Sequence, residues 1–567
     1  MRPSQARSFS LAVAFGLLHS TSTGAQDPSS NLWDRLERDI SGRVAKLAPF
    51  ASPCYEDFNS PECTHVREMY LDPQYRSGRP NAYIQPQWET CQNTETHCLL
   101  DSGDPHNISP TLDRTCGLGS VSEYMIDVQH PNDVRAAFAF SKRTKVPLVI
   151  KNTGHDYKGR SSAPGSLVLW THNLKQTSYA SDFRPHGCAA AQTQPAVTLG
   201  AGVQWAEAYA FAEQHNITLV GGADPAVGAV GGWLQGGGHG ALSNTMGLGV
   251  DRVLQYKVMT PDGKLRIANE CQNEDLFWAL RGGGGGTFGV VLEATIQASP
   301  PVKLQSVIIS FQPNTTRTRE AWTLLAENGL KWSQEGWGGY SNAGAVVLLN
   351  PVLSKEDAAT SVAPLLEFGR KVQEEGGARL VEVEFPTWGA FFNVFARDFA
   401  ASSGKNLAIA SRLINKSNLQ TPAKQQELVD AFLATEAATP GLILLMTAPA
   451  SFPSTGKTSV TEKWRDSVFH TTLISQWNWN ATKEEVREQY RRVSESADNL
   501  RRITDDAAYL NEADVYEPNW QESFWGEHYN RLLQIKNKYD PDRLLDCWHC
   551  VGWEPSSPRF SCYLDKW

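Results

Sequence analysis

Lys151-Asn152-Thr153-Gly154-His155-Asp156-Tyr157-Lys158-Gly159-Arg160-Ser161-Ser162 is the stretch that decides how this chain is read. It follows a short apolar run, Val146 to Ile150, that has the length and composition of a buried strand. A glycine, a histidine and several small polar residues then fill a tight loop. Free N–H groups leaving a strand in this way hold anions such as a pyrophosphate. His155, at the loop's centre, would sit beside whatever the phosphates carry. The competing reading is a surface or capping histidine.

A second segment tips the balance. Residues 221–240 read Gly-Gly-Ala-Asp-Pro-Ala-Val-Gly-Ala-Val-Gly-Gly-Trp-Leu-Gln-Gly-Gly-Gly-His-Gly, nine glycines in twenty positions. Such a backbone can approach a ligand closely and adopt positive φ. The nicotinamide-type fingerprint is absent, because no strand–glycine–helix unit with a correctly spaced acidic residue opens here. Tight turns in a sheet-rich domain are the plain alternative. Two glycine-rich loops about seventy residues apart, each after a strand, favour one large phosphate-bearing cofactor between them. A third element is Tyr509-Leu510-Asn511-Glu512-Ala513-Asp514, followed by Trp520, Phe524-Trp525-Gly526 and Tyr529. As a strand it would put Tyr509 and Asn511 on one face and Leu510 and Glu512 on the other. Only a bulge or turn would let Tyr509 and Glu512 converge, and the aromatics alone would equally suit a core.

Composition bounds the class. The chain has 567 residues, 41% hydrophobic and 20% charged, enough for more than one domain. Residues 1–25 carry the marks of a secretory signal: Arg2 and Arg7, an apolar centre from Phe9 to Leu18, and Thr23-Gly24-Ala25 before Gln26. That centre is too short for a membrane anchor, so an exported protein off the membrane is expected. Sequons at Asn107, Asn216, Asn314, Asn415 and Asn480 fit a glycoprotein. Ten cysteines read as disulfides of unknown pairing, and the isolated Cys547/Cys550 pair is a poor zinc site. A formal charge of −9 argues against nucleic acid.

Along the chain, 26–115 is loop-rich and reads as a disulfide-stapled cap. From about 120 the pattern sharpens into strands at Ser122–Gln129, Val146–Ile150, Leu167–Trp170, Val197–Leu199 and Thr218–Val220. Helices open at Pro131 and at Val203. Pro261-Asp262-Gly263 makes a hairpin, and Gly282 to Gly286 is a glycine run before a closing strand from Phe288 to Gln297. The expected units are therefore 116–301, a second domain over 302–502 that alternates strands with charged helices, and a tail over 503–567.

The three motifs, in this order and spacing, resemble the vanillyl-alcohol-oxidase/PCMH superfamily of FAD enzymes, and within it the berberine-bridge-enzyme-like oxidases. The nearest look is to secreted fungal members such as isoamyl alcohol oxidases. The resemblance implies an α+β fold: a PCMH-type FAD-binding domain of two α+β subdomains, plus an α/β substrate domain built on an antiparallel sheet. It implies FAD bonded covalently through His155. Asn152, Thr153, Gly154, Asp156, Ser161 and Ser162 would hold the pyrophosphate. Gly221, Gly222, Val227, Gly228 and Gly232 would line the second cofactor loop, closed by Gly237, Gly238 and His239. Two departures stand out. Many relatives carry a second flavin link through a cysteine, and 221–232 has none. Plant relatives place their basic tyrosine where this chain has Glu512. The base stays open between Glu512, Tyr509 and a residue of the substrate domain, with Asn511 beside them.

The expected activity is hydride removal from a hydroxyl-bearing small molecule, with O₂ reduced to H₂O₂, by a monomeric exported enzyme. A dehydrogenase or oxidative-cyclisation enzyme of secondary metabolism would use the same motifs. A flavin-binding glycoprotein without turnover would keep His155 and lack a base. Trp332, Trp337, Tyr340, Phe385, Trp388, Phe391, Phe392 and Phe395 could line an aromatic pocket, although such residues more often build core.

Overall fold

The computed structural model describes residues 30–112, 115–190, 192–395 and 401–567. The expected signal over 1–25 lies outside them. Three sheets organise the chain. The first runs β1-β2-β4-β3, with β1 Val44–Lys46, β2 Tyr124–Asp127, β3 Leu148–Lys151 and β4 Leu167–Trp170. β2, β4 and β3 are parallel, and β1 joins antiparallel. β4 reads Leu-Val-Leu-Trp and is buried at every position, as a central parallel strand must be. The helix Pro131–Thr144 is the crossover between β2 and β3. Asp133 accepts the N–H groups of His130 and Gln129, Pro131 starts the first turn, and Lys145 closes the helix with φ 62°.

The second sheet is antiparallel, in the order β5-β6-β9-β7-β8: β5 Thr177–Phe183, β6 Gln194–Gly200, β7 Val253–Met259, β8 Leu265–Ala268 and β9 Val290–Gln297. The Pro261-Asp262-Gly263 hairpin joins β7 to β8, as its turn chemistry requires. Thr218–Val220 differs from the sequence reading: Thr218 forms only an isolated bridge with Ser299.

The third sheet has seven strands, all antiparallel, in the order β13-β10-β12-β11-β15-β16-β14. They are β10 Leu304–Phe311, β11 Gly338–Asn342, β12 Ala345–Asn350, β13 Ala378–Phe385, β14 Asn406–Asn415, β15 Ile443–Met446 and β16 Ser467–Trp477. Strand alternation divides its two faces. Ala408, Ala410, Leu473, Val346 and Leu348 pack in one core with the helices Thr315–Gln334, Pro422–Ala438 and Lys483–Arg501. Leu407, Ile409, Thr472, Ile474 and Val347, one residue out of phase, face a cavity.

All ten cysteines pair: 54–63, 91–562, 98–116, 188–271 and 547–550. Cys91–Cys562 ties the N-terminal region to the last residues of the tail. The tail also returns to the five-glycine run. Trp525 Nε1 donates to Gly282 O at 3.0 Å, and Lys536 Nζ to Thr287 O at 2.7 Å. Among the described residues no helix is long and apolar enough to cross a membrane. The sequon at Asn415 is corrected: its side chain is buried and its amide donates to Asp505 at 3.0 Å, which leaves no room for a glycan in the folded chain. The aromatic-pocket expectation also narrows. Trp332 and Trp337 are fully buried core, and Phe391 stacks on Phe395 while Phe385 meets both edge-on. Of the eight, Tyr340 alone is among the cavity-lining residues.

Candidate active site

A cavity of about 440 Å³ lies between the three sheets. Asn152, Thr153, Gly154, His155, Asp156 and Ser161 line it, together with Gly222, Val227, Gly228, Gly232 and His239, and with Tyr509, Asn511 and Glu512 from the tail. Motifs hundreds of residues apart thus meet on one space. The glycines explain how. A Cβ on Gly228 would lie 2.0 Å from Asn152 Oδ1, so the two loops touch only because that side chain is missing. At Gly232 a Cβ would meet nothing within 4 Å, so the backbone there borders open space.

Several expected cofactor contacts fall elsewhere. Ser162 and Gly221 lie off the lining, and a Cβ at Gly221 would strike Trp205 and Tyr209. Gly221 therefore serves helix packing. Gly237 and Gly238 also lie behind the wall, where Gly238 N–H donates to Tyr509 Oη at 3.3 Å. Asp156 is occupied inside its own loop, accepting from Ser161 N at 2.6 Å, Ser161 Oγ at 2.8 Å and Lys158 N at 3.2 Å. Its carboxylate shapes the loop, and an anion is a poor partner for a pyrophosphate. Arg160, given no role in the sequence reading, lines the cavity and donates from Nη2 to Asn511 Oδ1 at 2.9 Å.

The tail motif is a turn, the alternative that lets Tyr509 and Glu512 converge, and not a strand. Glu512 N–H closes on Tyr509 O at 3.0 Å, bringing both side chains to the cavity.

 That i to i+3 hydrogen bond replaces the ladder a strand would need. Asn511 Nδ2 donates to Tyr509 Oη at 2.7 Å and to Gly232 O at 2.9 Å, so its amide is oriented by Arg160 on one side and by these acceptors on the other. Both hydrogen bonds to Tyr509 end on its oxygen, which leaves the phenolic proton to point at a ligand. Burial, reinforced by the charge of Glu512, pushes this phenol well above the usual tyrosine range. It stays protonated and acts as a donor.

Glu512 sits in a clamp. Its Oε1 lies 3.1 Å from His239 Nε2, and its Oε2 lies 2.7 Å from His470 Nε2. Burial alone would raise this carboxyl, but the two imidazoles set against it outweigh burial and hold Glu512 well below the usual carboxylate range. An ionised carboxylate only accepts, so each ring donates through Nε2. The buried Nδ1 atoms, which have no hydrogen-bond partner, then carry lone pairs. The same three donor groups lie within 4.8 Å of one another, a spacing that would suit a metal. Metal-bound imidazoles would need acceptors for two Nδ1–H groups, and these are missing, so the hydrogen-bonded clamp fits better. The sequence reading took His239 as a cofactor-loop residue and missed His470, which arrives from β16.

The cavity fits a large phosphate-bearing aromatic cofactor. Open space at Gly232 and buried polar atoms lacking hydrogen bonds, namely His155 Nε2, Asn152 Oδ1 and Arg160 Nη1, await a partner of that kind. Comparison with known proteins agrees. Residues 122–269 match the FAD binding domain family, and residues 508–547 match the berberine and berberine-like family. The fold and site are those of a VAO-type FAD oxidoreductase. The solved VAO-type flavoprotein MtVAO615 from Myceliophthora thermophila superposes with a TM-score of 0.83 at 28% identity, covering 95% of this chain and 98% of that one.

The FAD-linked oxidoreductase cheF of Chaetomium globosum is 38% identical over 581 residues, spanning 98% of this chain and 93% of the relative. Its counterpart ffsJ of Aspergillus flavipes is 37% identical over 575 residues, spanning 92% of each. The chain belongs to this family of fungal FAD-linked oxidoreductases with a berberine-like C-terminal segment.

Proposed function

We propose that this protein is an exported oxidase that carries FAD on His155 and oxidises a hydroxyl-bearing small molecule. The observation that carries the reading is the pairing at the cavity of an ionised acceptor, Glu512, with a protonated donor, Tyr509. The chemistry that FAD supplies when bound is acceptance of a hydride, with O₂ as the final electron acceptor to give H₂O₂. His155, Asn152, Thr153, Gly154, Gly228 and Gly232 would hold it, with Arg160 as the nearby cation.

The chain's own residues handle the proton. A substrate hydroxyl donates to a free lone pair of Glu512, while Tyr509 donates its phenolic hydrogen to the substrate oxygen. That geometry aligns the O–H bond before it breaks. With His239 and His470 holding its charge, Glu512 is a weak base at rest. It accepts the proton as the carbon loses its hydride and the hydroxyl acidifies. Leu407, Ile409, Val347, Leu445 and Ile474 give the substrate side of the cavity an apolar wall and exclude water. Export is supported by residues 1–25 and by five disulfides in one chain.

The test is a panel of primary, secondary and benzylic alcohols scored by anaerobic bleaching of the flavin and by peroxide release under air. Bleaching with peroxide supports the oxidase. Bleaching without peroxide makes it a dehydrogenase. A flavin that no alcohol bleaches argues for a different substrate class.

A further inference from the structure

His155 faces a partner that none of the sequence motifs announced. Its Nε2 lies 3.9 Å from Asp224 Oδ1, with the two side chains 8% and 10% exposed, and it makes no hydrogen bond. Asp224 comes from the other cofactor loop, within the glycine-rich segment. Its carboxylate is fixed there by Ala226 N–H on Oδ1 at 2.8 Å and by Ala401 N–H on Oδ2 at 2.6 Å. Lys151 is the other charged group acting on the ring. It is buried, its ammonium donates to Arg79 O at 2.8 Å, and burial lowers it to about 7. Burial, opposed by Asp224 and assisted by Lys151, keeps the His155 imidazole below its ordinary value and therefore neutral at pH 7.

A neutral imidazole has one N–H and one lone pair, and a neighbouring carboxylate selects which nitrogen keeps the hydrogen. With Nε2–H turned to Asp224, the lone pair is on Nδ1. We infer that Asp224 readies His155 for its covalent bond to FAD, fixing the Nε2–H tautomer so that Nδ1 is the nucleophile and taking up the Nε2 proton as the bond forms. The inference rests on the reading that His155 carries the flavin. At 3.9 Å the contact is longer than a hydrogen bond, and it tightens as the ring acquires positive charge.

A bond forms between Nδ1 and the flavin 8α carbon, and one C8α–H bond breaks. The Nε2 hydrogen and that C8α hydrogen leave as protons. The two electrons released pass to the isoalloxazine and then to O₂, which takes the two protons to become H₂O₂. Asp224 acts through His155 and is thus a positioning residue.

The experiment compares purified wild type with Asp224→Asn, Asp224→Glu and His155→Ala, each incubated with added FAD from pH 5.5 to 8.5. Total bound flavin is read from absorbance. The covalent fraction is read from acid-precipitated protein and from the mass of the His155 peptide. Asp224→Asn should bind FAD as wild type does but attach it about a hundredfold more slowly. Its rate should climb with pH as solvent replaces the carboxylate, and Asp224→Glu should restore part of the rate. Attachment by Asp224→Asn at the wild-type rate and pH profile overturns the inference. So does loss of all bound FAD from both Asp224 variants, which would make the residue a mere brace for the loop. Wild type with only free FAD, like His155→Ala, refutes instead the reading on which the inference rests.

Discussion

Replacing Glu512 by glutamine separates chemistry from scaffolding. The carboxylate accepts one imidazole N–H on each oxygen, at 3.1 and 2.7 Å. Glutamine is nearly isosteric, but it offers one oxygen and one NH₂. One clamp bond survives at neutral strength. At the other, an N–H meets an N–H unless that imidazole moves its proton to Nδ1, where it finds no acceptor. Charge-assisted bonds are worth about 1.5–3 kcal/mol and a buried unmet donor costs about 1–3, so the fold should lose about 2–4 kcal/mol. Loss of a general base slows its step by about 10²–10⁴-fold. Stopped-flow reduction under anaerobic conditions, on protein checked to be folded and fully flavinylated, reads the second quantity alone. Glu512→Gln should bleach at least about a hundredfold more slowly than wild type at saturating alcohol. In the wild type, Glu512 itself should contribute no inflection between pH 6 and 8, because its carboxyl is held below the usual range. A variant that melts earlier yet reduces its flavin at the wild-type rate would make the clamp purely structural and move the base elsewhere.

Three further outcomes are expected. His155→Ala should release its flavin on acid precipitation, whereas the wild-type tryptic peptide containing His155 should carry the FAD mass; free flavin from the wild type would contradict the single-link reading. Arg412→Ala should cost about 3–5 kcal/mol in denaturant unfolding, because it removes one of the two cations that balance Glu517, whose side chain is 0% exposed and lies 2.9 Å from the guanidinium. A loss below 1 kcal/mol would show that Arg501, 2.7 Å from the same carboxylate, suffices alone. Burial holds His470 and His549 below the ordinary histidine value and His172 at about 3. A depressed imidazole pKa means that the unfolded chain takes up protons first, so stability is full above pH 6.5 and falls as the pH drops below it, by about 1.4 kcal/mol per pH unit for each ring until its folded value is reached. Thermal melts between pH 8 and 5 should show the decline, and a flat profile would mean that these rings protonate in place.

What the sequence made legible follows the range of the forces involved. The loop after β3, the capped helix from Pro131 and the hairpin at Pro261-Asp262-Gly263 are written in neighbouring residues, and the structure has them where their chemistry puts them. The tail motif is legible in the sequence, but the choice between strand and turn is not. Parity along a strand sets Tyr509 and Glu512 apart, and a single i to i+3 hydrogen bond reverses that. What holds the turn is non-local: the buried Arg412, Arg501 and Glu517 group fixes 505–517 against β14 and the helix Lys483–Arg501. The clamp on Glu512 is non-local too. His470 is one of several polar residues in β16, followed directly by Thr471 and Thr472, and nothing near it in the chain says that it faces a carboxylate 42 positions on. The buried sequon at Asn415 fails for the same reason, since its partner Asp505 lies 90 residues away. Asp224 is the different case. It is the lone charged side chain in residues 221–240, a segment whose glycines otherwise give up their side chains to bring the backbone close to a ligand. A carboxylate kept in such a place, beside a loop built for phosphates, is electrostatically costly unless it has a task. The sequence motifs give Asp224 no role, and the 3.9 Å approach to His155 supplies the task.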